Sequence, residues 1–241
     1  AYFGTSGKKL PGAYGANEPK QNAANLRTKG WELMLTWNDA FKLANKPFRY
    51  NLSVGLADNT SEITKFDNPS KILSDYYVGQ KLGDIWGYVV DGLFRTDEEA
   101  ANYNVDQTAV NFVINTAQVN PGLHAGDMKF VDLDGDHTIS SGSNTADDPG
   151  DRKIIGNSLP RYTYSIQGGF DWYGFDFSIY LQGVGHQYWY PGTNSVFFWG
   201  PYARPYSSFI PRDFLSQVWS PENPDAYFPR PIGYLALGNN R

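Results

Sequence analysis

From Tyr162 to Gly183 the chain reads YTYSIQGGFDWYGFDFSIYLQG, and no other stretch limits the fold as sharply. Tyr162, Tyr164, Ile166, Phe170 and Trp172 alternate with Thr163, Ser165, Gln167 and Asp171. After Tyr173-Gly174 the pattern resumes, with Phe175, Phe177, Ile179 and Leu181 set against Asp176, Ser178, Tyr180 and Gln182. Side chains on a strand point to opposite faces in turn, so a period of two predicts two strands, each with one apolar and one polar face. A second pair precedes them. Trp31, Leu33, Leu35 and Trp37 alternate with Glu32, Met34, Thr36 and Asn38; then, past a connection AFKLANK, Phe48, Tyr50, Leu52, Val54 and Leu56 alternate with Arg49, Asn51, Ser53, Gly55 and Ala57.

The pattern predicts strands over about 26–38, 46–60, 160–172 and 175–186. Two excursions, about 61–159 and 186–241, follow the second and fourth strands. Loops that long inside a compact domain are usually functional. All short turns thus fall at one end of the strands and all long loops at the other. Within the first excursion, GDIWGYVVDGLF (83–94) reads as a short strand-like run, and TDEEAANY (96–103) as a turn or two of helix capped by Thr96, with Glu98 and Glu99 in the first turn.

Three environments suit the apolar faces. An antiparallel sandwich core fits the alternation alone. A transmembrane β-barrel wall adds two expectations, aromatic residues toward both ends of the strands and turns that are short on one side only. A glycan platform of exposed aromatics suits the irregular region around 186–206 better than the strands. The turn asymmetry, and Trp31 and Trp37 bracketing Leu33 and Leu35, favour the wall. In lipid every backbone N–H must be paired, and a closed barrel achieves this. Four strands cannot close one, so this reading places the other strands elsewhere.

Composition removes several classes. The 241 residues carry a net charge of −5 and no basic run, which argues against nucleic acid. There is no cysteine, so thiol catalysis and thiolate metal sites are excluded. No run of eighteen apolar residues codes a membrane helix. The opening AYFGTSGKKLPGAYGANEPKQ has no signal-peptide character and suggests a piece of a larger protein. The three histidines have no metal-ligand spacing, and no nucleophile elbow, phosphate loop or dinucleotide fingerprint is present, so no enzymatic activity is expected. A glycoside hydrolase would need two carboxylates facing across a cleft, and nothing selects such a pair.

The segment GDMKFVDLDGDHTISSGSNTADDPGDRKIIG, 126–156, holds the candidate metal site. Asp132, Asp134 and Asp136 stand at positions 1, 3 and 5 of a calcium-loop pattern, and Thr138 at position 7 offers its carbonyl. Ile139 at position 8 is placed to pin the loop to a core. Position 6 is His137 rather than Gly, and position 12 is Ser143 rather than an acid. Asp147, Asp148 or Asp151 would have to return to complete the shell; Asp151, just before the ordered-looking RKIIG, is the choice. The alternative is a solvated acidic turn held by its own hydrogen bonds.

Four blocks in order, QNAANLRTKGWELMLTW, GDIWGYVVDGLFRTDEEA, GDMKFVDLDGDHTI and DRKIIGNSLPRYTYSIQGGFDWYGFDFSIYLQG, resemble the C-terminal part of SusC/RagA-type TonB-dependent outer-membrane transporters of Bacteroidota. The resemblance spans nearly the whole chain. It implies an all-β fold, the antiparallel strands of a 22-stranded transmembrane barrel, with residues 1–241 one segment of that domain and the plug and final strands outside it. It implies import of glycan oligomers or peptides, a SusD-like lipoprotein lid, and coupling to TonB through a region not in this chain. It places the apolar face against outer-membrane lipid and the polar face toward the lumen. The family's acidic segment reads like DxNGDGxIDxxDR, onto which Asp132, Asp134, Asp136 and Asp151 map; His137 and an insertion of roughly eight residues before Asp151 depart from it. On this topology the turns near 39–46 and 173–174 are periplasmic and the excursions extracellular. Trp86, Tyr88, Trp189, Tyr190, Phe197, Phe198 and Trp199 then become candidates for substrate or lid contact. The competing reading is a soluble, secreted β-rich carbohydrate-binding module stabilised by calcium.

Overall fold

The structure is a computed structural model, and it describes residues 24–110, 122–191 and 212–231. Its strands are β1 (Asn25–Leu43), β2 (Lys46–Lys65), β3 (Asp84–Tyr88), β4 (Val90–Leu93), β5 (Met128–Phe130), β6 (Arg152–Asn157), β7 (Arg161–Trp172) and β8 (Phe175–His186). Two short helices, α1 (Asp97–Ala101) and α2 (Phe214–Gln217), complete the described elements. The chain is therefore all-β in character.

Strands β1, β2, β7 and β8 form one antiparallel sheet in sequence order. Each hairpin closes through two residues with left-handed backbone, Ala44-Asn45 (φ 50° and 62°) and Tyr173-Gly174 (φ 52° and 86°). That geometry matches the twist of the flanking strands. The stretch 39–43, expected as a connection, is strand: the alternation continues through Asp39, Phe41 and Leu43, and Phe41 pairs with Phe48. Since Phe48 also pairs with Trp172, the two turns lie at the same end of the sheet.

At the opposite end β2 outruns β7. Its pairing with β7 stops at Ala57, while β1 follows it to Lys65. Beyond Ala57 the segment near 79–82 takes the vacated edge, with Ile63 N–H donating to Gln80 O and Leu82 N–H to Ser61 O. Ile63, Phe66 and Tyr77 are buried there.

The contacts divide the chain into two compact units, residues 1–85 with 156–189, and residues 86–155 with 190–241. The first holds the four-stranded sheet. In the second, β4 pairs with β5, and among the described residues Phe94, Ala100, Phe130, Ile139 and Val218 are buried. Gln107, also fully buried, acts as a surrogate strand: its Nε2 donates to Met128 O, and its Oε1 accepts from Phe130 N–H. Thr96 caps α1 as expected, its hydroxyl accepting from Glu99 N–H.

Candidate functional site

The register of the large sheet collects side chains of one kind on each face. On one face the cross-strand rows are Leu33–Leu56–Tyr164, Leu35–Val54–Ile166–Leu181, Trp37–Leu52–Gly168–Ile179 and Phe41–Phe48–Trp172–Phe175. On the other they are Thr36–Ser53–Gln167–Tyr180, Asn38–Asn51–Gly169–Ser178 and Ala40–Arg49–Asp171–Asp176. A slip of one residue in any strand would exchange the faces, so the register is strongly specified.

The apolar face is exposed. Leu35, Trp37 and Phe175 keep 62%, 61% and 69% of their surface accessible, which a sandwich core would have buried. The face is also zoned. At the hairpin end Phe41, Phe48, Phe170 and Phe177 form a ladder of rings across all four strands, with successive centroids 5.0, 5.4 and 5.3 Å apart. Trp37 Nε1 donates to the Tyr50 hydroxyl beside it. Leucine, valine and isoleucine fill the middle, and Trp31, Tyr162 and Tyr164 stand toward the other end. At that end Asp58, opposite Trp31, pairs with Arg161, whose guanidinium forks onto both carboxylate oxygens.

The acidic loop brings together Asp132, Asp134 and Asp136, whose carboxylate oxygens lie within 4.8 Å of one another. Backbone amides hold each of them. Asp132 accepts from Gly135 and His137 N–H, Asp134 from Asp136 N–H, and Asp136 from Thr138 N–H. His137 takes the left-handed conformation (φ 64°) that a glycine would supply at this position. Ile139 is fully buried, anchoring the loop as expected. Asp151 is not one of the three converging carboxylates: it is fully buried, and its two oxygens accept from Leu133 and Ser140 N–H, clamping both arms of the loop. Asp148 accepts from Ser143 N–H and hydroxyl, which folds the insert on itself.

The electrostatics of the cluster are divided. Partial burial pushes Asp132 up, but the His137 and Gly135 amides outweigh it and hold its carboxyl below the usual value. Asp134 goes the other way. The Asp136 amide pulls it down, yet burial and the like charges of Asp136, Asp151 and Asp132 together push it above the usual value. Crowded carboxylate oxygens suit a hard, oxygen-preferring cation such as calcium, which takes six to eight oxygen ligands. Three carboxylates supply part of that shell.

The aromatic candidates separate. Trp86 and Tyr88 are half-buried, with the Tyr88 ring edge-on to Phe130 at 6.0 Å. Burial also raises the Tyr88 phenol above its usual value. Trp189 and Tyr190 are exposed, at 72% and 57%. Phe197, Phe198 and Trp199 lie outside the described residues. Sequence reading missed the fully buried Asp127, which receives a two-pronged contact from Arg230 at 2.7 and 3.0 Å. The two lie 103 residues apart, and no local pattern links them.

No protein-family model matches the chain. Two curated proteins do, both from Formosa agariphila. The chain is similar to "TonB-dependent receptor P39", 27% identical over 193 residues, 70% of this chain and 18% of the relative. It is also similar to "TonB-dependent receptor P3", 23% identical over 188 residues, 73% of this chain and 16% of the relative. The chain thus spans less than a fifth of the length of either relative. Together with a sheet that is apolar and exposed on one face and polar on the other, these matches support the chain as a piece of a TonB-dependent receptor, and the SusC/RagA type is consistent with them.

Proposed function

We propose that the four-stranded sheet is part of the wall of an outer-membrane β-barrel, and that the whole protein is a TonB-dependent active transporter rather than an enzyme. The observation that carries this reading is the exposed apolar face with aromatic rings toward both ends. From Trp31 to Phe41 is ten residues. At about 3.3 Å per residue and a tilt of about 40° that is a band about 25 Å tall, the height of the apolar belt on outer-membrane barrels. Soluble sheets do not leave such a face uncovered. The polar face suits a wet lumen.

The finer reading is a 22-stranded barrel of the SusC/RagA type that imports glycan oligomers or peptides under a SusD-like lipoprotein lid. On it the second unit is extracellular, and Trp189, the last residue of the first unit, and Tyr190, in the second, are the most accessible described candidates for substrate or lid contact. Calcium in the loop of Asp132, Asp134 and Asp136, with the Thr138 carbonyl, would relieve the repulsion that raises Asp134.

Fractionation of cells producing the full-length protein, followed by detergent electrophoresis with and without boiling, tests the wall. The expected result is an outer-membrane band whose mobility changes on boiling. A soluble protein without that change would sink the proposal.

A further inference from the structure

The apolar face of the large sheet carries an open groove of about 470 Å³. It is lined by the four-ring ladder, Leu52 and Ile179, and Gly168 stands between the last two in their cross-strand row. Gly168 differs from the other glycines of these four strands. At Gly30, Gly55, Gly169, Gly183 and Gly185 a neighbouring atom lies within 3.1 Å of where a Cβ would stand, so the space is already taken. At Gly168 the nearest atom, Ile179 Cγ2, is 3.7 Å away, and the backbone is not left-handed. Neither crowding nor chain conformation calls for a glycine here. A glycine inside a strand weakens it, and one reason to keep it is the close approach of a ligand. Strand β7 is flanked by β2 and β8, so further strands of a barrel would not border Gly168. Whatever fills the notch arrives from beyond the face.

Two features select the occupant. The lining is apolar, and it runs toward the hairpin end. There Lys46 is exposed on the same face, two residues before Phe48, with its Nζ 5.0 Å from the centre of the Tyr173 ring. From Lys46 to Leu52 is six residues. At about 3.3 Å per residue and a tilt of about 40° they span about 15 Å of height, half of a hydrocarbon core about 30 Å thick. The cation then lies at headgroup depth and the notch at mid-membrane, one acyl chain apart. Asp39, the acid on this face at the hairpin end, lies two strands from Gly168 on β1 and accepts from Ala40 N–H.

We propose that this groove seats one phospholipid, with its phosphate at Lys46 and the far half of one acyl chain against Gly168. The inference rests on the proposed barrel wall. It adds a lipid that stays with the protein when the bulk bilayer is removed.

Native mass spectrometry of the full-length protein, purified in detergent and titrated with dioleoylphosphatidylglycerol, tests it. The wild type is expected to retain a single phospholipid, and to bind dioleoylglycerol, which lacks the phosphate, about fivefold more weakly. Lys46→Gln should abolish that difference. Gly168→Leu should weaken phospholipid retention at least about tenfold, because its side chain displaces two or more buried methylenes. Gly168→Ala, whose added carbon the 3.7 Å spacing admits, should weaken it less and serves as the readable variant if Gly168→Leu does not fold. Equal retention by the wild type and these variants, or a second protein chain held in place of lipid, would overturn the seat. Boiling-dependent mobility of the same samples reads the wall. A mobility change kept without any retained lipid overturns the seat alone; a wild type without the mobility change overturns the wall.

Discussion

Asp134 bears the electrostatic cost of the acidic loop. Its raised carboxyl means that folding favours its protonated form, a contribution present below its ordinary value and lost as pH rises through the raised one. At neutral pH it is therefore ionised at the expense of the loop. Asp134→Asn is expected to stabilise the ion-free loop at pH 7 and to weaken calcium binding by about tenfold or more, because affinity follows the number of ligand charges. Calorimetric calcium titration and exchange of the Asp136 and Thr138 amides check the two halves; an unchanged calcium isotherm would remove Asp134 from the site. The spacing of the three aspartates was legible because each loop amide bonds to an acid only a few residues away. The job of Asp151 was not. Its carboxylate reaches Leu133 and Ser140, and which end of the loop it serves depends on how the insert folds back through Ser143 and Asp148.

The strands show the same division between local and distant causes. A period of two was enough to assign the faces and to place the turn at Tyr173-Gly174. It fell short at 39–43, expected as a connection, although Phe41 and Leu43 keep to the apolar face and every position pairs with β2. The two faces make a sharp prediction. Leu35 sits midway along the apolar band and Thr36 beside it on the polar face. Leu35→Arg is expected to cost about 2–4 kcal/mol in a lipid-facing wall, and Thr36→Arg close to nothing. The folded, heat-shiftable fraction of each variant reports the difference. Equal tolerance of both would mean that no bilayer meets this face.

Across the whole chain, acid should act on the second unit first. The Ala125 amide holds Asp97 below its usual value, the Arg95 amide does the same for Glu99, and the Ser143 hydroxyl for Asp148. Asp132 is lowered as well. Groups with depressed values contribute stability that is present above their unfolded pKa and lost as pH falls through the folded one, so these contributions fade below about pH 4. Asp134 opposes them, but alone. Pepsin near pH 3 is expected to cut within 86–155 before it cuts within 161–186; the reverse order would show that these carboxylates do not control the unit.

The sequence by itself determined what depends on near neighbours: the alternating strands and their two faces, the cap on α1 and the convergence of Asp132, Asp134 and Asp136. Tertiary structure alone decided that the segment near 79–82 completes the end of β2 and buries Ile63, that Gln107 pairs with β5, and that Arg230 meets Asp127. A backbone period or an Asx-type turn is written in consecutive residues because its bonds are short in sequence. A contact that closes a loop of a hundred residues leaves no such trace, since its partners are selected only when the intervening chain has packed.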